Sequence, residues 1–261
     1  ATFKLLNRWT HPGFGKVLPA PGQSLTLGPA GMSFDAKGDL VVAAYASFCV
    51  FSKPNVLVAC HPKVKAQATE NVIFDHLGNI YSTTSTGGTN EVHKYNVNYK
   101  HLTTFSIKTG ELTGITCDPT GNLYIASQDK GKGHIYKVDR KTFAVLDTID
   151  VALAGVGTLE GLQFLKGGRL LVATFGGSKG VLHINATSPF KLLGSIRPTG
   201  LYGAVPVTID GVGNIYTADY ENGSGTARAD LWSFTAAGKV IASSIASPVY
   251  GPFGMVVAGT V

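Results

Sequence analysis

Apolar residues in this chain occur in short runs that are separated by clusters of glycine, asparagine, aspartate and proline. Runs of this kind, rich in β-branched and aromatic residues, predict short strands joined by tight turns. One phrase recurs: an apolar strand ends in Asp, a turn with Gly-Asn or Gly-Asp follows, and a second strand begins. Its clear copies start at Phe34-Asp35, Phe74-Asp75, Cys117-Asp118 and Ile209-Asp210, and a weaker copy starts at Phe164-Leu165.

The spacing of these copies predicts the architecture. Positions 35, 75, 118, 165 and 210 are 40, 43, 47 and 45 residues apart. A repeat of this length built from short strands is typical of a β-propeller, in which each copy forms one four-stranded blade. In the copy at Asp118, for example, the second to fourth strands are predicted at 123–127, 134–139 and 143–151. We therefore expect an all-β chain with a single β-propeller domain over 1–261.

The two ends of the chain predict a sixth, incomplete blade. Residues 251–258 align with 28–35, which form a first strand, and residues 3–6 repeat 190–193, which form an outer strand. Pairing an N-terminal outer strand with a C-terminal inner strand would close the ring and remove free strand edges. The middle strands of this blade are unaccounted for, although 13–27 could supply a replacement. The prediction is a six-bladed propeller whose sixth blade is incomplete.

The aspartate of each copy is predicted to build the turn that follows it. An Asp side chain at this position accepts hydrogen bonds from backbone N–H groups of the next residues. The glycine of each turn fits because the backbone there needs a positive φ. These aspartates are therefore expected to be structural.

Composition and charge exclude some partners and favour a compartment. The net charge is +6, but Lys and Arg are scattered, so no nucleic acid partner is expected. No apolar stretch is long enough to span a membrane. Cys49 and Cys60 flank a hairpin and could face each other, whereas Cys117 is predicted to be a buried free thiol. Together with an opening Ala1, which suggests a removed signal segment or a trimmed chain, these features favour a secreted or periplasmic protein.

The repeated pattern Gly-apolar-x-apolar-Asp-x-x-Gly-Asn-apolar-Tyr-apolar-Ala resembles the NHL repeat and the related senescence-marker-protein/gluconolactonase (regucalcin-like) six-bladed propellers. Members of that superfamily include calcium-dependent lactonases, a zinc-dependent lyase and modules that only bind partners. The resemblance implies that metal ligands, where present, lie at the axis, five residues before the repeat aspartate. The residues there are Ala30, Glu70, Thr113, Glu160, Val205 and Phe253.

The axial positions hold two carboxylates where the lactonase-like pattern has several ligands. Glu70 and Glu160, with Thr113 between them, could hold a divalent cation such as calcium and act as catalytic groups. Alternatively, both carboxylates are solvated or cap strand N–H groups. Tyr45, Phe175 and Tyr220 follow second strands and could form an aromatic rim for a ligand, or pack between blades.

Two functions follow from these observations. Because most ligand positions are lost while the structural repeat is kept, we expect a ligand-binding or protein-interaction module that takes a small molecule or protein at its loop face. The alternative is a metal-dependent hydrolase, lactonase- or esterase-like, or a lyase with its site at the axial mouth.

Overall fold

The computed structural model describes residues 31–44, 47–53, 56–63, 69–84, 90–129, 132–153, 155–219, 230–244 and 255. These residues form five four-stranded antiparallel sheets, each built from four strands that are consecutive in the chain. Within each sheet the first strand is innermost and the fourth is outermost. The all-β propeller predicted from the repeat spacing is therefore confirmed.

The strand bounds follow the repeat copies, one blade to each copy. They are, for blade 1, β1 (Met32–Phe34), β2 (Leu40–Ala43), β3 (Ser47–Lys53) and β4 (Val56–Pro62); for blade 2, β5 (Thr69–Phe74), β6 (Ile80–Thr84), β7 (Glu91–Tyr95) and β8 (His101–Ser106); for blade 3, β9 (Glu111–Cys117), β10 (Leu123–Asp129), β11 (Lys132–Val138) and β12 (Val145–Val151); for blade 4, β13 (Val156–Leu165), β14 (Arg169–Gly177), β15 (Val181–Asn185) and β16 (Leu192–Ile196); and for blade 5, β17 (Ala204–Ile209), β18 (Ile215–Asp219), β19 (Leu231–Phe234) and β20 (Val240–Ser244).

The core lies between neighbouring blades. Successive side chains of a strand point to opposite faces of its sheet, so each blade packs on both sides. In β14, Leu170 belongs to the cluster shared with blade 3, whereas Leu171 belongs to the cluster shared with blade 5. Equivalent clusters join blades 2 and 3 and blades 1 and 2. The inner strands accordingly stand side by side in the order β1, β5, β9, β13, β17.

The inner strands have two different ends. We call the end that carries the repeat aspartates and the hairpins to the second strands the turn end. The opposite end, where second strands lead to third strands, is the loop end. Because consecutive strands are antiparallel, all connections of one kind lie on one face of the propeller.

On the loop-end side of the axial residues, neighbouring inner strands touch backbone to backbone at a glycine that blades 1, 3 and 4 share, four residues before the repeat aspartate position. A Cβ added to Gly31 would lie 2.6 Å from the amide nitrogen of Val72, and one added to Gly161 would lie 2.6 Å from the carbonyl oxygen of Val205. A Cβ on Gly114 would overlap the carbonyl oxygen of Glu160. Glycine is required here because no side chain fits between the two strands.

The structure describes five blades, where the sequence predicts six. Of the segments assigned to the sixth blade, 3–6, 13–27 and most of 251–258 lie outside the described residues. Met255 is described, and it lines the axial cavity together with the inner strands. Closure by a sixth blade, and the single-domain organisation over 1–261, remain predictions.

Cys49 and Cys60 face each other in the β3–β4 register and form a disulfide. Such directly opposite positions on antiparallel strands bring the Cα atoms close together. Cys117 is a free thiol, as predicted, but it is half-buried, and it donates to the carbonyl oxygen of Phe74 at 3.7 Å. Burial raises the pKa of Cys117 to about 11, and the carboxylates of Asp75 and Asp118 add to the rise. No helix capable of crossing a membrane occurs in the part of the chain that the structure describes.

Candidate functional site

The repeat aspartates organise the hairpins at the turn end. In blade 2, Oδ1 of Asp75 accepts hydrogen bonds from the backbone N–H groups of Leu77 and Asn79, both at 2.9 Å. Its Oδ2 accepts from Nδ2 of Asn79 at 2.9 Å and from the hydroxyl of Tyr81 at 3.3 Å. Both carboxylate oxygens are therefore satisfied within the repeat. This confirms the structural role predicted for the aspartate.

Two other blades repeat this arrangement. Oδ1 of Asp118 accepts from two backbone N–H groups of its turn, and its Oδ2 accepts from Nδ2 of Asn122 at 3.2 Å. Oδ2 of Asp210 accepts from Asn214 at 2.8 Å and from Tyr216 at 3.0 Å. Although slight burial opposes it, hydrogen bonds from Asn214 and Tyr216 hold the pKa of Asp210 below its ordinary value.

A lysine on the third strand covers the tyrosine of the repeat in blades 2 and 3. Nζ of Lys94 lies 5.3 Å from the ring centre of Tyr81, and Nζ of Lys137 lies 5.6 Å from that of Tyr124. Nζ of Lys137 is also 4.0 Å from Oδ2 of Asp118. Burial, with the neighbouring carboxylate of Asp75, raises the pKa of Tyr81, which therefore stays protonated as a donor. These contacts hold the turns of blades 2 and 3 rigidly.

Blade 1 departs from the pattern. Oδ1 of Asp35 accepts from the backbone N–H groups of Lys37 at 2.8 Å and Asp39 at 2.9 Å, as in the other turns. However, Asp39 stands where blades 2, 3 and 5 have asparagine, and Val41 stands where they have tyrosine. The two donors that bind Oδ2 elsewhere are therefore missing. Among the described residues, Oδ2 of Asp35 has no hydrogen-bond or ion-pair partner.

A cavity of about 690 Å³ lies on the propeller axis and reaches the turn end. All five inner strands line it, and it extends to the turns of blades 1, 2 and 5, including Asp35, Asp75 and Asp210. Its volume is in the range typical of small-molecule sites. Apolar walls come from residues such as Ile115, Leu162 and Val207, whereas Thr116 and Thr208 supply hydroxyls.

The sequence reasoning missed this cavity because it assigned the turn aspartates to structure alone. That assignment is correct for both carboxylate oxygens of Asp75, Asp118 and Asp210 but for only one oxygen of Asp35. A usable signal was present in blade 1, where Asp39 and Val41 replace the asparagine and tyrosine of the repeat. The loss of both partners at one copy marks the aspartate that is free to bind something else.

Among the axial positions predicted from the resemblance, Thr113, Glu160 and Val205 have described side chains. Thr113 and Glu160 lie on the adjacent inner strands β9 and β13, two residues before Ile115 and Leu162 of the cavity lining and on the loop-end side of them. The hydroxyl of Thr113 donates to the carbonyl oxygen of Leu159 at 2.6 Å, so it joins two blades. Glu160 is half-buried and lies at an irregularity in the β13–β14 register. None of these three residues lines the cavity at the turn end.

The structure places the remaining predicted residues only in part. Glu70 lies in β5, but its side chain is outside the described residues, as are Tyr45 and Tyr220. Phe175 is half-buried on β14, and its ring packs over Gly203 next to blade 5. Thr113, Glu160 and Phe175 therefore lie near the loop end, but a common site formed with Glu70, Tyr45 and Tyr220 remains a prediction.

One lysine at the loop end is in an unusual environment. Nζ of Lys63, just after β4, donates to the carbonyl oxygen of Ala44 and lies 5.3 Å from the ring centre of Phe48. Burial lowers the pKa of Lys63 to about 7. The side chain therefore exchanges its proton near neutral pH.

No protein-family model and no curated protein matches this chain. Several solved structures are similar in fold. A streptogramin B lyase has a TM-score of 0.65 at 16% identity, covering 90% of this chain and 72% of that one. A virginiamycin B lyase from Staphylococcus aureus has a TM-score of 0.62 at 11% identity, covering 85% and 71%. A protein described as a putative gluconolactonase has a TM-score of 0.62 at 12% identity, covering 85% and 78%. At these identities the similarity establishes the β-propeller fold.

Proposed function

We propose that this chain is a secreted or periplasmic six-bladed propeller, related to the NHL and gluconolactonase-like superfamily, that binds a small molecule in its axial cavity. The observation that carries the proposal is the cavity of about 690 Å³ at the turn end, whose lining combines apolar residues with a similar share of polar groups. A concave site of this size on a rigid scaffold is a typical place for a small ligand. The sequence predicts a ligand at the loop face of the propeller. The proposal instead places the ligand at the opposite face, which carries the turns.

The rigidity of the surrounding turns supports a preformed site. The turns at Asp75 and Asp210 line the cavity and are each held by four hydrogen bonds to one carboxylate. A ligand would therefore not have to order these turns when it binds. A preorganised site loses less conformational entropy on binding, which increases affinity.

The Cys49–Cys60 disulfide supports the proposed compartment. Disulfides persist in secreted and periplasmic proteins and are rare in the reducing cytosol. Alkylation in denaturant, of protein taken directly from its source cells, tests this point because denaturation exposes the Cys117 thiol. We expect only Cys117 to react before reduction, whereas labelling of all three cysteines would contradict an oxidising compartment.

A ligand-observed NMR screen with a fragment library tests the proposed site. Ser33 lines the cavity, so Ser33→Phe should fill it and abolish binding of the fragments that the unmodified protein recognises. Ser195→Phe is the matched control because Ser195 is exposed on the outer strand β16. Fragments that still bind Ser33→Phe but are lost in Glu160→Gln would contradict a site at the turn end.

A second candidate, a metal-dependent hydrolase or lyase, is favoured by the adjacency of Thr113 and Glu160 on neighbouring inner strands. It would use Glu70 and Glu160 with a divalent cation such as calcium. The described axial side chains supply one carboxylate, one hydroxyl that already donates, and the apolar Val205. Such a donor set fits poorly with calcium, which takes six to eight oxygen ligands. Calorimetry with calcium, magnesium and zinc tests this candidate, which requires binding that disappears in Glu160→Gln.

A further inference from the structure

The charge of the cavity is opposite to that of the whole chain. The net charge of the protein is +6. In contrast, the described residues that line the cavity include the three carboxylates of Asp35, Asp75 and Asp210 and no lysine or arginine. A concave site lined by charges of one sign concentrates the electrostatic potential and attracts ligands of the opposite sign. The described part of the cavity lining therefore favours a positively charged ligand, against the net charge of the protein.

The three carboxylates are not equivalent. Oδ2 of Asp75 and Oδ2 of Asp210 each accept two hydrogen bonds from within their own repeat. In the part of the chain that the structure describes, Oδ2 of Asp35 accepts none, and no lysine or arginine lies within ion-pair distance of it. Asp35 is therefore the carboxylate with capacity left for a ligand.

An uncommitted hydroxyl lines the same cavity. Thr208, on the inner strand β17, is 7% exposed, and its side chain makes no hydrogen bond with any described residue. Its neighbours Val207 and Ile209 pack into the core between blades 4 and 5, so strand alternation turns Thr208 to the other side. The oxygen of this hydroxyl remains accessible from the cavity, so a ligand that supplies a donor can take the place of solvent there.

These features together lead to one ligand class. We propose that the axial cavity binds an organic ammonium ion, a small molecule with an apolar body and a protonated amine, and that the carboxylate of Asp35 is its counter-ion. The hydroxyl of Thr208 is a second acceptor for the ammonium group, and the apolar walls cover the body of the ligand. This proposal rests on the proposed function, since it concerns the same cavity.

The size and donor arrangement favour an organic ion over a bare metal ion. A volume of about 690 Å³ is far larger than one metal ion requires. Within the described ranges, no three His, Cys, Asp or Glu side chains are grouped closely enough to hold a metal. Both carboxylate oxygens of Asp75 and of Asp210 already accept hydrogen bonds within their repeats. Of the three carboxylates, only Asp35 would then be left to coordinate a metal ion.

Calorimetry with three ligands of the same shape tests the proposal. Benzylamine is a cation at neutral pH, benzyl alcohol is its neutral counterpart and benzoate is an anion. We expect benzylamine to bind about ten- to a hundredfold more tightly than benzyl alcohol, as a charge-assisted hydrogen bond predicts, and benzoate to bind more weakly than both.

Two variants test which side chains produce the preference for benzylamine over benzyl alcohol. Asp35→Asn should lower the affinity for benzylamine by about tenfold or more while leaving that for benzyl alcohol unchanged. Asp139→Asn is the matched control, since Asp139 also accepts backbone N–H groups in an exposed turn but does not line the cavity. Thr208→Val, a change of nearly equal volume, should weaken benzylamine binding by about three- to tenfold.

Equal affinities for benzylamine and benzyl alcohol, with both lost in Ser33→Phe, would overturn the ammonium proposal and leave the cavity site intact. Unchanged benzylamine binding in Asp35→Asn would overturn the role of Asp35. Competition by calcium that depends on Asp35 would show that the site holds a metal ion instead. If none of the three ligands binds while neutral fragments still occupy the cavity, the ammonium proposal fails but the proposed small-molecule site in the cavity stands.

Discussion

The two ends of the inner strands are built on different principles. On the loop-end side of the cavity, Gly31, Gly114 and Gly161 bring neighbouring strands into backbone contact, and no side chain fits between them. At the turn end, the strands part around a cavity, and carboxylates occupy the space. The same repeat thus specifies close packing at one end and a set of polar groups at the other.

This difference shows where a change of residue has consequences for function. In blades 1, 3 and 4 the glycine must satisfy the same steric requirement, so little variation is possible there, whereas blades 2 and 5 have Asn71 and Pro206 at this position. At the turn end, each copy that has the repeat aspartate needs only one carboxylate oxygen to accept from the backbone of its turn. The second oxygen is bound by Asn79 and Tyr81 in blade 2, but it is released in blade 1, where those partners are Asp39 and Val41.

The largest effect is expected at the glycine end. Gly114→Ala places a methyl group against the carbonyl oxygen of Glu160 on the next blade, and backbone cannot move aside as a side chain can. We expect a loss of about 3 kcal/mol or more in the free energy of unfolding, as for severe overpacking. Denaturation by guanidinium chloride measures it.

Gly194→Ala is the control for this change, because a Cβ at Gly194 meets nothing within 4 Å. It should alter the free energy of unfolding by less than about 0.5 kcal/mol. Equal stabilities of the two variants would contradict close backbone contact between the blades.

An intermediate effect is expected from a matched pair at the turn end. Asp75→Asn turns an amide N–H₂ towards the donors of Asn79 and Tyr81, so two buried hydrogen bonds are lost. A cost of about 2–3 kcal/mol in the free energy of unfolding follows. Asp35→Asn keeps the acceptor for its turn and opposes no donor, so its cost should stay below about 0.5 kcal/mol. Similar costs in both variants would show that Oδ2 of Asp35 is also engaged.

A further effect, on the pH dependence of stability, concerns Lys63 at the loop end. The pKa of Lys63 is about 7 in the folded protein, compared with the ordinary value of 10.5 that applies when the chain is unfolded. Between these values the unfolded chain binds more protons, so the free energy of unfolding should rise as the pH increases from about 7 to about 10. Below about pH 7 both states are protonated, and this increase is absent.

Thermal unfolding of the wild-type protein and of Lys63→Met between pH 7 and pH 10 tests the direction of this pH dependence. The variant should lose the part of the pH dependence that comes from Lys63. Lys239→Met serves as the control, since Lys239 is exposed in a turn of blade 5. A wild-type protein whose stability falls between pH 7 and pH 10 relative to Lys63→Met would contradict a lowered pKa.

Much of the fold could be predicted from the sequence because the repeat is a local signal. Asp75, Gly78 and Asn79 build a turn through contacts among near neighbours, so their order in the chain reveals the hairpin. The sequence leaves the Cys49–Cys60 contact open, because the spacing of the two cysteines permits a disulfide without requiring one. The β3–β4 register then brings the two residues opposite each other.

The candidate site was harder to predict because it depends on distances between blades. Counting from the repeat aspartate correctly places Thr113 and Glu160 on adjacent inner strands. It does not reveal that the hydroxyl of Thr113 is used by the carbonyl of Leu159, 46 residues away. Nor does it reveal that Asp35 and Thr208, on different blades, line one cavity.

The central claim is that the ligand site is the cavity at the turn end. A crystal structure of the protein soaked with benzylamine tests this most directly. The account predicts density in the cavity with the ammonium nitrogen about 2.7–2.9 Å from Oδ2 of Asp35, the distance of a charge-assisted hydrogen bond. Density beside Glu160 at the loop end, with the cavity lacking the ligand, would contradict it.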